Sequence, residues 1–439
     1  MRENELLARA REAVELAQRC GASDAVASLG AGRSLEFQWR DERLEKVQEN
    51  ASQGLGLALY VDGRFSTHST NDLDPRRLAS FVAEAVELTR LLAPDPFRVI
   101  PDPKLYAGRP GDLLDLVDPS AVDLPRERCL EWCRLLEARA RAHAEVVSAT
   151  SGVMSGTSLS ARVSSNGFEG TRESTGVWYG AEVTARDGEH RRPEAARWVG
   201  ATHLADLERV EDVGAEALRR VLARRGATKA PTQRTHLIVD REAAPGLLGR
   251  VLGALGASAV QQKRSFLAER AGERIASPLL SITDHPLLPK LAGSRHFDGE
   301  GISARVLPIV ERGVLRHFYV DTYYGRKLGW EPTTASPSNL VVELGPKSRE
   351  ELLRDVGEGL YVTSWLGGNA NTTTGDYSFG LQGHAVRHGE IQEPISEMNV
   401  TGNFLDLLQR LVAVGNDPEK WSSFRAPTLV FEGIDFSGS

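Results

Sequence analysis

At 439 residues, with 41% hydrophobic and 26% charged side chains, the chain has an ordinary globular composition and exceeds the size of one hydrophobic core, so two or three domains are expected. A formal net charge of −7 and a pI near 5.9 oppose the broad basic field of a non-specific nucleic-acid binder and leave only a local patch at Arg219, Arg220, Arg224 and Arg225. The charged start from Met1 to Leu7, the early interruption of every apolar stretch and an odd three cysteines (Cys20, Cys129, Cys133) point away from export and membranes and towards a reducing cytoplasm.

The first predicted element is a helix over 3–20, where Leu6, Leu7, Ala10, Val14 and Ala17 recur at helical spacing and Gly21 ends the run. Ser34 to Trp39 alternates as a strand, and Leu55 to Val61 is a second strand turned by Asp62-Gly63. Asp74-Pro75 is a cap and first-turn pair for an amphipathic helix carrying Leu78, Phe81, Val82, Ala85, Leu88 and Leu92. Pro94, Pro96, Pro101, Pro103 and Pro110 then sustain neither a helix nor a central strand, which predicts a linker or surface strap and a domain boundary near residue 110.

A helix over about 124–143, strands around Val146, Leu159, Val177 and Val183 with turns at Asn166-Gly167 and Asp187-Gly188, and a helix over about 204–225 make a central α+β unit, 111–226. Gly226 to Arg234 has linker chemistry, and 227–439 reads as a third domain of short strands and turns. Within it, Arg305 to Val310 and Val314 to Val320 predict a hairpin around Glu311, Arg312 and Gly313, with Pro308 marking an edge strand. Gly380 to Val386 pairs with the segment from Ile391 across His388-Gly389. The predicted class is α+β, with an N-terminal α+β region of antiparallel sheets (1–110) and a β-rich C-terminal domain.

A catalytic zinc needs three converging His, Cys or carboxylate ligands and an open position, and the ten histidines here are scattered. His384 and His388 have suggestive spacing, but their alternating surroundings predict a strand, on which four residues separate two side chains by about 13 Å, too far for one ion. Asp284, His285, His296 and the run Asp298-Gly299-Glu300-Gly301 can build a metal or acid–base cluster, although such loops more often bind water and backbone. Neither a hydrolase elbow nor a phosphate loop occurs. Gly246, Gly249, Gly253 and Gly256 recur at helical intervals that suit close packing, not at dinucleotide-fingerprint spacing. The richest polar segment, Gly367 to Gly380, reads either as a loop lining an extended peptide or as a glycine-rich crossing whose side chains cap turns.

Several short runs of the C-terminal third follow one another in a recognisable order: Phe297-Asp298-Gly299-Glu300-Gly301, Tyr324-Gly325-Arg326-Lys327-Leu328-Gly329 and Thr374-Gly375-Asp376-Tyr377-Ser378, then His388 to Gln392, Pro394 to Glu397, Gly402-Asn403 and Val414 to Asp417. By these the chain resembles the TldD/PmbA family on its TldE-like (PmbA-like) side, and Gly54-Leu55-Gly56, Asp62-Gly63-Arg64 and Ser69 to Leu73 extend the likeness over essentially the whole chain. The resemblance implies a two-subunit zinc metallopeptidase whose TldD-like chain carries a His-Glu-x-x-x-His helix and a later Cys.

In this chain Gly249, Arg250 and Ala254 stand where the first His, the Glu and the second His belong, and no Cys follows Cys133. Gly and Ala offer no donor atom, and a guanidinium opposes a divalent metal. The resemblance therefore implies a non-catalytic subunit with no cofactor of its own, zinc in a TldD-like partner and extended or unfolded peptides as substrates. Thr374, Gly375, Asp376, Tyr377 and Ser378 become substrate-lining candidates, and a homodimer is possible when the chain is alone. The alternatives are a stand-alone hydrolase using Asp376, Tyr377 and Ser378 or the loop from His285 to Glu300, and a modulator of a DNA enzyme, which the charge pattern supports little.

Overall fold

The computed structural model describes residues 3–439. Helix α1 (Glu3–Arg19) buries Leu6, Ala10, Val14 and Ala17, which its periodicity predicts, together with Ala13, while Leu7 stays partly exposed. Three strands follow, β1 (Asp24–Arg40), β2 (Arg43–Val61) and β3 (Arg64–Thr70), and then α2 (Pro75–Arg90), whose N-terminus is capped by the Asp74 carboxylate accepting from the Arg76 and Arg77 N–H groups. A short α3 (Pro119–Val122) and α4 (Arg126–Ala140) precede β4 (Val146–Ser164), β5 (Glu169–Ala185), β6 (Glu194–Ala201) and α5 (Val210–Ala223). Cys129 and Cys133 on α4 are buried free thiols, pushed by that burial to about 11 and about 12.

These six strands form one antiparallel sheet in the order β3-β2-β1-β4-β5-β6. The β1–β4 ladder, from Val26 opposite Ser164 to Arg40 opposite Thr150, makes a single sheet of the first two predicted units. Strands β1 and β2 are much longer than alternation suggested. Residues from Arg43 to Gln53 are almost all exposed, so no apolar period marks them. α1 and α2 pack against the sheet around Leu29, Leu55 and Leu57, and α4 and α5 pack around Phe37, Val177 and Tyr179. The opposite face is rich in glycine, and Trp178 and Trp198 lie across Gly176, Gly180 and Gly200, where a Cβ would collide with the indoles.

The second half continues through β7 (Gln233–Val239), α6 (Ala244–Leu252), α7 (Ala257–Gln261), β8 (Ile282–Asp284), β9 (Leu307–Glu311), β10 (Val314–Leu315), α8 (Thr322–Leu328), β11 (Leu340–Val342) and α9 (Arg349–Val356). It ends with β12 (Gly359–Ala370), β13 (Asp376–Arg387), β14 (Glu390–Asn403), α10 (Phe404–Gln409), β15 (Leu411–Val414), β16 (Phe424–Arg425) and β17 (Leu429–Ser437). A small sheet runs β10-β9-β8-β11-β16, and a larger one runs β14-β13-β12-β7-β17-β15. In the larger sheet β14 also pairs with β17 at Asn399 and Val400, which curls it into a barrel-like layer around Phe379, Leu381, Phe404 and Phe431. The predicted pairing across His388-Gly389 is present as the β13–β14 hairpin. The predicted second strand of the other hairpin shrinks to Val314–Leu315, and β9 is one strand in from the edge. Because β10 pairs only with Val310 and Glu311, Pro308 still lies beyond the paired stretch of that flank.

The proline-rich stretch straps the two halves together. The Asp95 carboxylate accepts from Tyr323 Oη at 2.9 Å, and the Arg98 guanidinium lies 3.5 Å from the Tyr323 ring centroid. Phe168 of the first sheet meets Phe297 of the C-terminal loops at 5.0 Å between centroids. Among the described residues no helix is long and apolar enough to cross a membrane.

Candidate functional site

Helix α6 begins with Pro245 in its first turn and turns Leu247, Leu248 and Val251 into the barrel core, so Gly246, Gly249 and Arg250 face outward. Its ladder tightens at once into a 3-10 turn, Gly253–Leu255, whose Ala254 is 0% exposed. The three positions thus differ in kind. Gly249 has open space where a side chain would stand, Arg250 extends its cation to 5.7 Å from the Phe379 ring centroid, and Ala254 is a core methyl. Zinc does not fit these residues, since the helix supplies no donor atom and carries a positive charge. Among the described residues no three His, Cys, Asp or Glu side chains gather as metal ligands.

Beside α6 runs β12. Its parallel pairing with β7 covers only Gly359 to Val362, and from Ser364 to Ala370 that flank pairs with no strand among the described residues. The Trp365 indole pins this free flank to the helix start by donating to the Ala243 carbonyl at 2.9 Å. A Cβ on Gly246 would meet Trp365 at 3.3 Å, and one on Gly253 would meet Thr372 at 3.8 Å, so the glycine stripe allows the strand and its loop to lie close.

The five candidate residues span the end of the β12–β13 loop (Thr374, Gly375) and the start of β13 (Asp376, Tyr377, Ser378), and the structure divides them. Asn371 N–H donates to the Asp376 carbonyl and Gly375 N–H to the Asn371 carbonyl, both at 2.8 Å, closing a tight turn in which Gly375 has φ +83°. Thr374, Asp376 and Ser378 are exposed, whereas Gly375 and Tyr377 are buried. Asp376 accepts from Thr374 Oγ1 at 2.6 Å and from Asn403 Nδ2 at 3.0 Å, and these bonds hold its carboxyl below the usual range. Tyr377 is 6% exposed and packs against Phe379 at 5.3 Å and Phe404 at 4.9 Å; burial pushes its phenol to about 12. Its ring therefore belongs to the barrel core and leaves Thr374, Asp376 and Ser378 as the side chains presented outward.

Asn403 and Trp365 had no assigned role in the sequence. Asn403 also donates to the Thr374 carbonyl at 2.9 Å and caps α10, and an Asn immediately before an apolar helical run is the signal that marks it.

The loop from His285 to Glu300 does not converge. Asp284 accepts from the Ser338 N–H and hydroxyl, Asp298 from the Glu300 and Ile302 N–H groups, and Glu300 from Thr322, while His296 bonds the Asp112 carbonyl. Their acceptors are taken up by backbone N–H and hydroxyl groups, locally at Asp298 and across the fold at Asp284 and Glu300. His384 lies on β13 and His388 in the turn beyond it, so the pair shares no helix face.

Against known families, residues 25–89, 119–225 and 232–438 match domain 1, the central domain and the C-terminal domain of the PmbA/TldA metallopeptidases. A curated relative from Escherichia coli, the metalloprotease PmbA, is 32% identical over 97% of this chain and 94% of its own length. A metalloprotease PmbA homolog from Haemophilus influenzae is 27% identical over 100% and 97%. Among solved structures, a Bacteroides thetaiotaomicron protein described as a candidate modulator of DNA gyrase superimposes with a TM-score of 0.96, at 38% identity and 100% coverage of both chains. TldE from Thermococcus kodakarensis shares the fold, with a TM-score of 0.86 at 18% identity over 98% of this chain and 100% of that one.

Proposed function

The chain belongs to the PmbA/TldD metallopeptidase family, and on that premise we propose that it is the family's TldE-like, non-catalytic subunit, working in the cytoplasm with a TldD-like chain that supplies the zinc. The observation that carries this reading is α6. A glycine, an outward cation on Phe379 and a core methyl stand at the three positions where the resemblance places the metal ligands and the general base. The subunit's contribution is to bind and position extended peptide. The unpaired flank of β12 offers backbone groups to a strand, and Thr374 in the loop beyond it, with Asp376 and Ser378 on the neighbouring β13, adds exposed polar side chains.

The test is to express the chain alone and together with a TldD-like subunit from the same genome, and to assay metal content, co-purification and cleavage of an unfolded peptide. Cleavage confined to the pair and abolished by a chelator is the expected outcome. Chelator-insensitive cleavage by the chain alone would overturn the reading in favour of a hydrolase with a different site.

A further inference from the structure

A cleft of about 910 Å³ lies between α5 and the C-terminal sheet, with Asp240 to Glu242, the residues leading into α6, along its wall. One face of α5 forms its first wall, with Glu216, Arg219, Arg220 and Arg224 three or four residues apart and hence stacked along the helix. Most of its cations are neutralised. Arg220 reaches Glu242 at 2.5 Å and Glu216 at 2.8 Å, Arg219 reaches Glu216 at 2.7 Å, and the buried Arg197 reaches Glu242 at 2.7 Å and Glu208 at 2.8 Å.

Arg224 is different. Among the described residues no carboxylate lies within salt-bridge distance of it, and its guanidinium is held only by neutral oxygens, the Glu194 carbonyl and, with the Gln382 amide turned so that its oxygen faces the guanidinium, the Gln382 side-chain oxygen at 3.0 Å. Across the cleft, His384 on β13 is half-buried, and its Nδ1 has no hydrogen-bond partner. The charged groups facing this imidazole are Arg219 and Arg224 from α5. Gln392 on β14 lines the same end of the cleft, and Tyr361 is the cross-strand neighbour of His384 on β12. Burial, reinforced by the two guanidinium charges, holds the imidazole below its ordinary range, so it is neutral at physiological pH. An uncompensated cation and a neutral imidazole thus share one end of a cleft wide enough for a small molecule.

We propose that this end of the cleft, with Arg224, Arg219 and His384, is a binding site for an oxyanion, the carboxylate or phosphate group of a small metabolite. The anion pairs with Arg224 and lies beside the His384 imidazole, whose charged form it favours. A site between the two halves of the chain also couples occupancy to how firmly those halves are held together. The proposal is independent of whether α6 is catalytic.

The test is an NMR titration of the histidine side chains in the full-length chain at constant ionic strength, with H384Q identifying the signal. Inorganic phosphate and citrate serve as separate probes and chloride as the control. The expected result is a saturable shift of the His384 signal with a raised pKa, as a nearby anion favours the imidazolium, and binding weakened about tenfold or more in R224Q. A response to phosphate alone assigns a phosphate ligand, and a response to citrate alone assigns a carboxylate. A His384 signal that responds to neither probe, or binding undiminished in R224Q, overturns the proposal. The wild-type titration decides the matter even if R224Q fails to fold.

Discussion

The Arg250 guanidinium rests 5.7 Å from the ring centroid of Phe379, so an outward position of α6 holds a cation seated on an aromatic side chain of the barrel. This contact makes α6 a finished packing surface. Restoring Gly249→His, Arg250→Glu and Ala254→His together is therefore expected to yield no chelator-sensitive peptidase. Position 249 has room for an imidazole, but Ala254 is fully buried, and overpacking there costs about 1–3 kcal/mol. The remaining requirements, a third ligand and groups that orient each imidazole, are not supplied by the substitutions. Peptidase activity of the triple variant, lost with a chelator and regained with zinc, would show that the rest of a site is preformed.

Metal content offers a simpler check. The purified chain, after dialysis against a weak chelator, is expected to hold far less than one zinc per molecule, because no three ligand-type side chains converge among the described residues. Elemental analysis giving a stoichiometric ion would contradict this.

Asp376 and Tyr377 are adjacent in sequence but predict opposite phenotypes. Tyr377→Ala removes a ring packed against Phe379 and Phe404 and should lower stability by about 3–5 kcal/mol. Asp376→Ala, at the exposed start of β13, should leave the melting temperature nearly unchanged yet slow peptide processing by the assembled pair. Melting curves and processing rates for both variants decide it, and an Asp376→Ala variant that processes normally would remove that residue from the peptide-binding role.

Glu216 gives a pH signature. Burial raises its pKa, but hydrogen bonds from Arg219 and Arg220 outweigh this and hold it near 2 against an ordinary 4.5. Because the folded value is the lower one, the stabilisation is complete above the unfolded value and is lost as pH falls from about 4.5 towards 2. The amount is about 3 kcal/mol as an order of magnitude, for a side chain 25% exposed. Denaturant unfolding of Glu216→Gln should show a flatter stability profile between pH 5 and 3 than the wild-type chain, and parallel profiles would contradict the assignment.

Much of the fold was legible in local patterns. The stripe from Leu6 to Ala17, the Asp74-Pro75 cap and the His388-Gly389 turn are each specified within a few residues, and all three appear in the structure. Residues from Arg43 to Gln53 were not legible as a strand, since an exposed strand needs no apolar alternation and is held by its partner's backbone. The candidate site was legible in composition but not in its parts.

By itself the sequence determined the α+β class, the family and the identities of Gly249, Arg250 and Ala254, none of which is a zinc ligand, because these depend on side-chain identity and short-range order. Only the tertiary structure decided that Tyr377 turns into the core while Asp376 turns out, because that choice follows from β14 closing onto β17 and from Phe404 arriving from a distant segment. It also decided that Arg224 lacks a carboxylate while Arg219 and Arg220, on the same helix, have theirs. The partner that separates Arg220 from Arg224, Glu242, lies beyond the linker, and no pattern within α5 encodes its distance.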